Sequence, residues 1–175
     1  MQQAQAAPEK GAISTLREAL LQAQRQGLAR LDAHMLLLHS LGRSQHDRAW
    51  LLAHDDDALP ADTLVRYQAL CQQRAAGVPL AYLTGHKQFY GLELAVDARV
   101  LDPRPDTETL VDWALEVLQP WHAPRVADLG TGSGAIALAL QHQRPDALVL
   151  AVDASPDALA VAQTNALRLG LPVHF

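Results

Sequence analysis

Arg125–Gly134 reads RVADLGTGSG, and AIALALQH follows it over Ala135–His142. Val126–Leu129 reads as a strand that enters a turn with glycine at positions 130, 132 and 134. Glycine takes backbone angles that L side chains avoid, so the chain can turn tightly there and bring its backbone close to a ligand. Helical spacing then takes over. The order is strand, glycine turn, helix, and it repeats. Ala147–Val152 is apolar throughout and ends at Asp153. Ser155-Pro156-Asp157 then puts a cap residue, a first-turn proline and a first-turn acid in register for a helix. Gly170 and Pro172 close it, and Val173-His174-Phe175 reads as the start of a third strand. Apolar strands alternating with helices predict an α/β fold with a parallel sheet covered on both faces.

Moving toward the N-terminus, Pro105 and Asp106 open a helix through about Leu118, with Leu110, Val111, Ala114, Leu115 and Leu118 apolar. Before it, Pro79, Gly85, Gly91 and Pro103 punctuate a segment in which His86–Tyr90 and Leu92–Val96 can pair around Gly91. Residues 13–77 read as short amphipathic helices. Thr15 and Glu18 have the spacing of a capping box, and Leu16, Ala19, Leu20 and Ala23 form the first stripe. Ala33, Leu37, Leu38 and Leu41 form the second, with Gly42 past its end. Ser44 and Asp47 offer a capping pair before Ala49–Ala53. Pro60 and Gly77 bracket a fourth helix with Leu64, Tyr67 and Cys71 on one face. Residues 1–11 read as a polar tail. The expected domains are a helical bundle over 1–78, a hairpin linker over 79–103 and an α/β domain over 104–175.

The chain has 175 residues, 49% of them hydrophobic, and a net charge of −5. Residues 1–80 carry eight charges of each sign, whereas residues 81–175 carry six basic and eleven acidic groups. A protein that binds nucleic acid by neutralising phosphates shows the opposite balance, so direct nucleic-acid binding is not expected. One cysteine, Cys71, excludes an internal disulfide and a cysteine-cluster zinc site. No apolar run approaches a membrane span, and the first eleven residues lack the apolar core of a secretory signal. A cytoplasmic setting is the expectation.

The chemistry is expected at Asp128, Gly130, Thr131, Gly132, Ser133, Gly134 and Asp153. A helix that starts right after a glycine turn points its N-terminus at whatever sits there. About twenty residues on, an acid at the end of the next strand can accept both hydroxyls of an adenosine ribose. A dinucleotide, S-adenosylmethionine or a bare structural turn all fit the glycines alone. Asp128 favours S-adenosylmethionine: a carboxylate beside the first glycine repels a pyrophosphate but suits a ligand carrying ammonium and sulfonium groups.

Pro103-Arg104-Pro105-Asp106-Thr107-Glu108, followed by Asp128–Gly134 and Asp153, resembles the peptide-chain release factor N5-glutamine methyltransferases. The likeness extends upstream through Gly77–Gly91 (GVPLAYLTGHKQFYG) into the helical bundle. The glycine loop is common to many methyltransferases; the PRPDTE stretch is far more restricted. The resemblance implies a helical N-terminal domain, a hairpin linker and a Rossmann-like methyltransferase domain. It implies S-adenosylmethionine as cofactor and class 1 release factors as partners. The reaction it implies is methyl transfer to the side-chain amide of the glutamine in their Gly-Gly-Gln motif. Relatives acting on a ribosomal-protein glutamine or on adenine amino groups are the alternative, because each methylates a planar conjugated NH2. The family's Asn-Pro-Pro-Tyr signature occurs nowhere in these 175 residues. No catalytic residue is therefore assigned here, and the chain is expected to be the N-terminal portion of a longer enzyme, inactive alone.

Other polar groups carry weaker expectations. The scattered histidines and Asp55-Asp56-Asp57 suggest no metal site. Ser133 has no His/Asp partners for a nucleophile. Phe89 and Tyr90 pack the hairpin or cover the cofactor, Arg104 and Glu108 fix the linker or meet a ligand, and Asp106 or Thr107 caps the helix.

Overall fold

The computed structural model describes residues 15–175; the polar tail expected at 1–11 lies outside them. The chain divides into two compact units, the first ending at Thr84 and the second spanning Gly85–Phe175.

The first unit is helical: α1 (Leu16–Arg25), α2 (Arg30–Ser40), α3 (Arg48–Ala53), α4 (Ala61–Ala75) and α5 (Leu80–Thr84). The capping box forms as the spacing predicts. The Glu18 N–H donates to Thr15 Oγ1 at 3.3 Å and the Thr15 N–H to Glu18 Oε2 at 3.2 Å. The N–H groups of Leu16 and Arg17 donate to the carbonyls of Asp57 and Asp55, so the loop after α3 satisfies donors that every helix start leaves open. Arg17 also grips the Asp55 carboxylate with two bonds of 2.9 Å. Leu16, Leu20, Leu36, Leu37, Leu38, Leu51, Tyr67 and Cys71 are buried together. Each such leucine contributes about 1.5–3 kcal/mol through burial. Burial also raises the Tyr67 hydroxyl and the Cys71 thiol above their ordinary pKa values.

One local expectation fails in this unit, and one element goes unforeseen. Ser44 and Asp47 form no capping pair; Ser44 Oγ accepts instead from the His46 N–H at 3.2 Å, within the turn before α3. A side chain that satisfies the nearest backbone donor is no longer free to cap three residues on. The five-residue α5 was not expected, because one helical turn leaves almost no periodic signal.

The second unit opens with an antiparallel hairpin, β1 (His86–Phe89) and β2 (Leu92–Ala95), paired from His86↔Ala95 to Phe89↔Leu92. Its two turn residues both have positive φ, Tyr90 at 50° and Gly91 at 78°, as a type I′ connection requires. Pro105–Thr107 forms a 3-10 turn that runs into α6 (Glu108–Leu118), and neither Asp106 nor Thr107 makes a side-chain cap. Then come β3 (Arg125–Leu129), α7 (Ala135–Gln143), β4 (Leu148–Val152) and α8 (Pro156–Leu169). The strands β3 and β4 are parallel, with Val126 opposite Val149 and Asp128 opposite Ala151. His174 bridges β4 in parallel on its other side, as the reading of a third strand predicts.

The sheet is covered on one face only. Val149 and Ala151 are buried with Ala137 of α7, but Leu148, Leu150 and Val152 are exposed, and Leu129 is 78% exposed. The uniform apolarity of β4 matches a strand with cover on both faces, while these residues supply cover on only one.

Candidate functional site

The site lies at the carboxyl ends of β3 and β4, where a parallel sheet leaves its loops free to meet a ligand. Three turn glycines have positive φ: Gly130 at 83°, Gly132 at 56° and Gly134 at 84°. They differ in what surrounds them. A Cβ added at Gly130 or Gly132 would meet nothing within 4 Å. At Gly134 it would lie 3.0 Å from Leu138 Cδ1 and 3.2 Å from Ala162 Cβ. The first two glycines thus border open space, and the third lets α8 close on the start of α7.

The turn is tied to the end of β4. The N–H groups of Gly130 and Thr131 both donate to the Val152 carbonyl, at 2.8 and 2.9 Å. The Gly132 N–H donates to Asp153 Oδ2 at 2.8 Å, and the Ser155 N–H donates to Asp153 Oδ1 at 2.9 Å. These backbone donors hold the Asp153 carboxyl below its ordinary pKa, the Ser155 bond contributing most. The carboxylate is therefore ionised at neutral pH, and each oxygen keeps acceptor capacity beyond its one bond. Asp128, half-buried at the end of β3, accepts from Thr131 Oγ1 at 2.7 Å. Neither Asp128 nor Asp153 has an ion-pair partner among the described residues. Two unneutralised carboxylates beside an open glycine loop favour a cationic ligand and disfavour a pyrophosphate.

All seven residues singled out from the sequence come together here, in two roles. Asp128, Gly130, Gly132 and Asp153 border the open side. The side chains of Thr131 and Ser133 are buried, and Gly134 sits at the packed start of α7. The residue that sequence reasoning missed is Asn165, fully buried on α8 and bonded to the Ser133 carbonyl at 3.0 Å. The available signal was an amide on the helix face that carries Ala158, Val161 and Ala162, all buried.

The hairpin turn is anchored to α6. The Tyr90 N–H donates to Glu108 Oε1 at 2.8 Å and the Tyr90 hydroxyl to Asp112 Oδ1 at 2.6 Å. Glu108 thus holds a left-handed backbone position, and Phe89 is buried. Arg104 is exposed. No cluster of metal-ligating side chains occurs among the described residues, and no helix there is long and apolar enough to cross a membrane.

Comparison with known proteins gives two family matches. Residues 12–85 match the PrmC N-terminal domain, and residues 107–175 match the methyltransferase small domain. Proteins named release factor glutamine methyltransferase are similar along most of the chain. The one from Xylella fastidiosa is 50% identical over 153 residues, covering 87% of this chain and 54% of its own length. Those from Bordetella pertussis and Escherichia coli are 53% and 46% identical over 148 and 156 residues, covering 85% and 89% of this chain and 54% and 55% of their own lengths. The chain therefore spans about half the length of the curated relatives it matches.

Proposed function

We propose, for a chain that belongs to the release factor glutamine methyltransferase family, that its second unit binds S-adenosylmethionine for methylation of class 1 peptide-chain release factors. The acceptor is the side-chain amide nitrogen of the glutamine in their Gly-Gly-Gln motif. The observation that carries the cofactor is the pair of carboxylates beside the glycine loop, Asp128 and Asp153, which have no cationic partner among the described residues. The names of the relatives support the acceptor, and they favour it over a ribosomal-protein or nucleic-acid substrate.

S-adenosylmethionine, when bound, supplies an electrophilic methyl group on a sulfonium. The residues of this chain bind and orient. Asp153 accepts the ribose hydroxyls while Gly132 and Ser155 hold its carboxylate in place. Asp128 lowers the energy of positive charge at the methionine end, and Thr131 Oγ1 fixes that carboxylate. Gly130 and Gly132 keep the space before the loop clear, while Thr131, Ser133 and Gly134 keep its backbone in shape. An amide nitrogen is a poor nucleophile because its lone pair is delocalised, so alignment supplies a large part of the rate. Without Asn-Pro-Pro-Tyr, no residue of this sequence is assigned to that alignment. The helical unit, residues 1–78, is assigned to recognition of the release factor, with 79–103 as linker and 104–175 as the cofactor-binding portion.

The test uses the full-length protein. Asp153→Ala should weaken calorimetric binding of S-adenosylhomocysteine at least about tenfold. Removal of residues 1–78 should abolish transfer of labelled methyl to an intact release factor and leave that affinity within about twofold. Unchanged affinity in Asp153→Ala overturns the cofactor site; equal loss of both properties on removal of 1–78 overturns the recognition role.

A further inference from the structure

Asn165 sits in the third turn of α8, with none of its surface exposed. A buried amide needs partners for both its acceptor and its donors, or its lost hydration goes uncompensated. Here the partners come from two distant places. Asn165 Oδ1 accepts from the Ala95 N–H at 2.7 Å, and Nδ2 donates to the Ala95 carbonyl at 2.9 Å. The amide thus supplies β2 with the rung that another strand would give, on the edge away from β1. The second proton of Nδ2 goes to the Ser133 carbonyl at 3.0 Å. The amide orientation is over-determined: turning it over would aim its oxygen at two carbonyls.

The Ser133–Gly134 peptide is consequently held at both ends. Its carbonyl is fixed by Asn165, and its N–H donates to the Thr131 carbonyl at 2.8 Å. One turn earlier on α8, Ala162 packs where Gly134 has no Cβ. That peptide separates Gly132 and Gly134, so its plane sets the shape of the loop between two left-handed residues.

We propose that Asn165 is a positioning residue: it locks the glycine loop to the edge of the hairpin and thereby sets cofactor affinity, a role that rests on the S-adenosylmethionine reading above. Arg168, one turn further on, supplies the control. It donates to the Glu93 carbonyl and holds the same helix to the same strand, but its partners do not include the loop.

The experiment compares Asn165→Ala, Asn165→Asp and Arg168→Ala in the full-length protein. Asn165→Asp keeps the side-chain volume and the acceptor for Ala95 but loses both donated bonds. Amide exchange at Gly134, measured without cofactor, should accelerate at least about tenfold in both Asn165 variants and stay within about twofold in Arg168→Ala. S-adenosylhomocysteine affinity should fall at least about tenfold in the same two variants only. Exchange or affinity that follows lost thermal stability equally in all three variants overturns the proposal. If neither Asn165 variant folds, the wild-type protein still decides. Its Asn165 side-chain NH2 resonances should shift when S-adenosylhomocysteine is added, and unmoved resonances overturn the proposal. Failure of the wild-type protein to bind S-adenosylhomocysteine would remove the cofactor reading. The cofactor-free exchange at Gly134 would still support or overturn the loop-locking role of Asn165.

Discussion

The two units are stabilised in different ways. The first is a leucine core: Leu36, Leu37 and Leu38 of α2 are fully buried among four other helices, and its polar bonds lie mainly at helix ends. The second has a thinner apolar core and many bonds between loops. Asp153 joins two loops, and Asn165 joins a strand edge to a loop. Arg144 donates to the carbonyls of Leu118 and Trp121 and pairs with Asp146, which itself accepts from the Ala123 N–H. The lesson is that a helical bundle can be held by contacts indifferent to direction, whereas a shaped glycine loop needs directional bonds that fix backbone planes.

The largest expected effect tests the first half of that contrast. Leu37→Ala removes a fully buried side chain and should destabilise the first unit by about 2–5 kcal/mol. Hydrogen exchange resolved by segment should show lost protection in α2 and α4 with β3 and α7 unchanged. Equal loss in both units would make them one cooperative body and break the comparison.

A smaller effect tests the second half. Gly134→Ala adds a Cβ at a φ of 84°, against Leu138 and Ala162. The cost should be about 1–3 kcal/mol, confined to the second unit. Protection of α7 and α8 should fall while the first unit's transition stays in place. A neutral result would show that α7 and α8 can separate without harm to the loop.

The smallest effect concerns pH. Burial, helped by Arg30 and Arg48, lowers the pKa of His34 below its ordinary 6.5. The unfolded chain binds the proton first. The stability held by neutral His34 is therefore complete above about pH 6.5 and is lost as pH falls through the lower folded value. The depressed carboxylates of the second unit, Asp97, Asp146 and Asp153, have an ordinary value of 3.8. Their contribution is intact until pH falls below about 4. Between pH 7 and 5 the first unit's transition should drop relative to the second. His34→Gln should remove that difference. A drop that persists in the variant would point to another group.

Much of this contrast is legible in the sequence because its signals are local. The Thr15/Glu18 capping box, the Ser155-Pro156-Asp157 helix start and the glycines of the turn each act within a few residues, and each is found where the spacing puts it. The hairpin around Gly91 is placed for the same reason, although Tyr90, read as part of the first strand, belongs to the turn. The role of Asn165 is hidden because its partners lie 70 and 32 residues away. The apolar face of α8 tells that the amide at position 165 is covered, and nothing near it names the backbone groups it meets. The exposed face of β4 is legible only in part. Its apolar pattern states what the strand can bury, and pattern alone does not say which neighbours supply the cover.

Cys71 turns the separation of the units into a clock. It is the sole thiol of the chain, it lies in the core of the first unit, and burial suppresses its thiolate. An alkylating reagent reaches it only when that core opens. Within these 175 residues, the rate of modification at a fixed reagent concentration therefore counts openings of the helical unit, with no label added and with residues 85–175 silent.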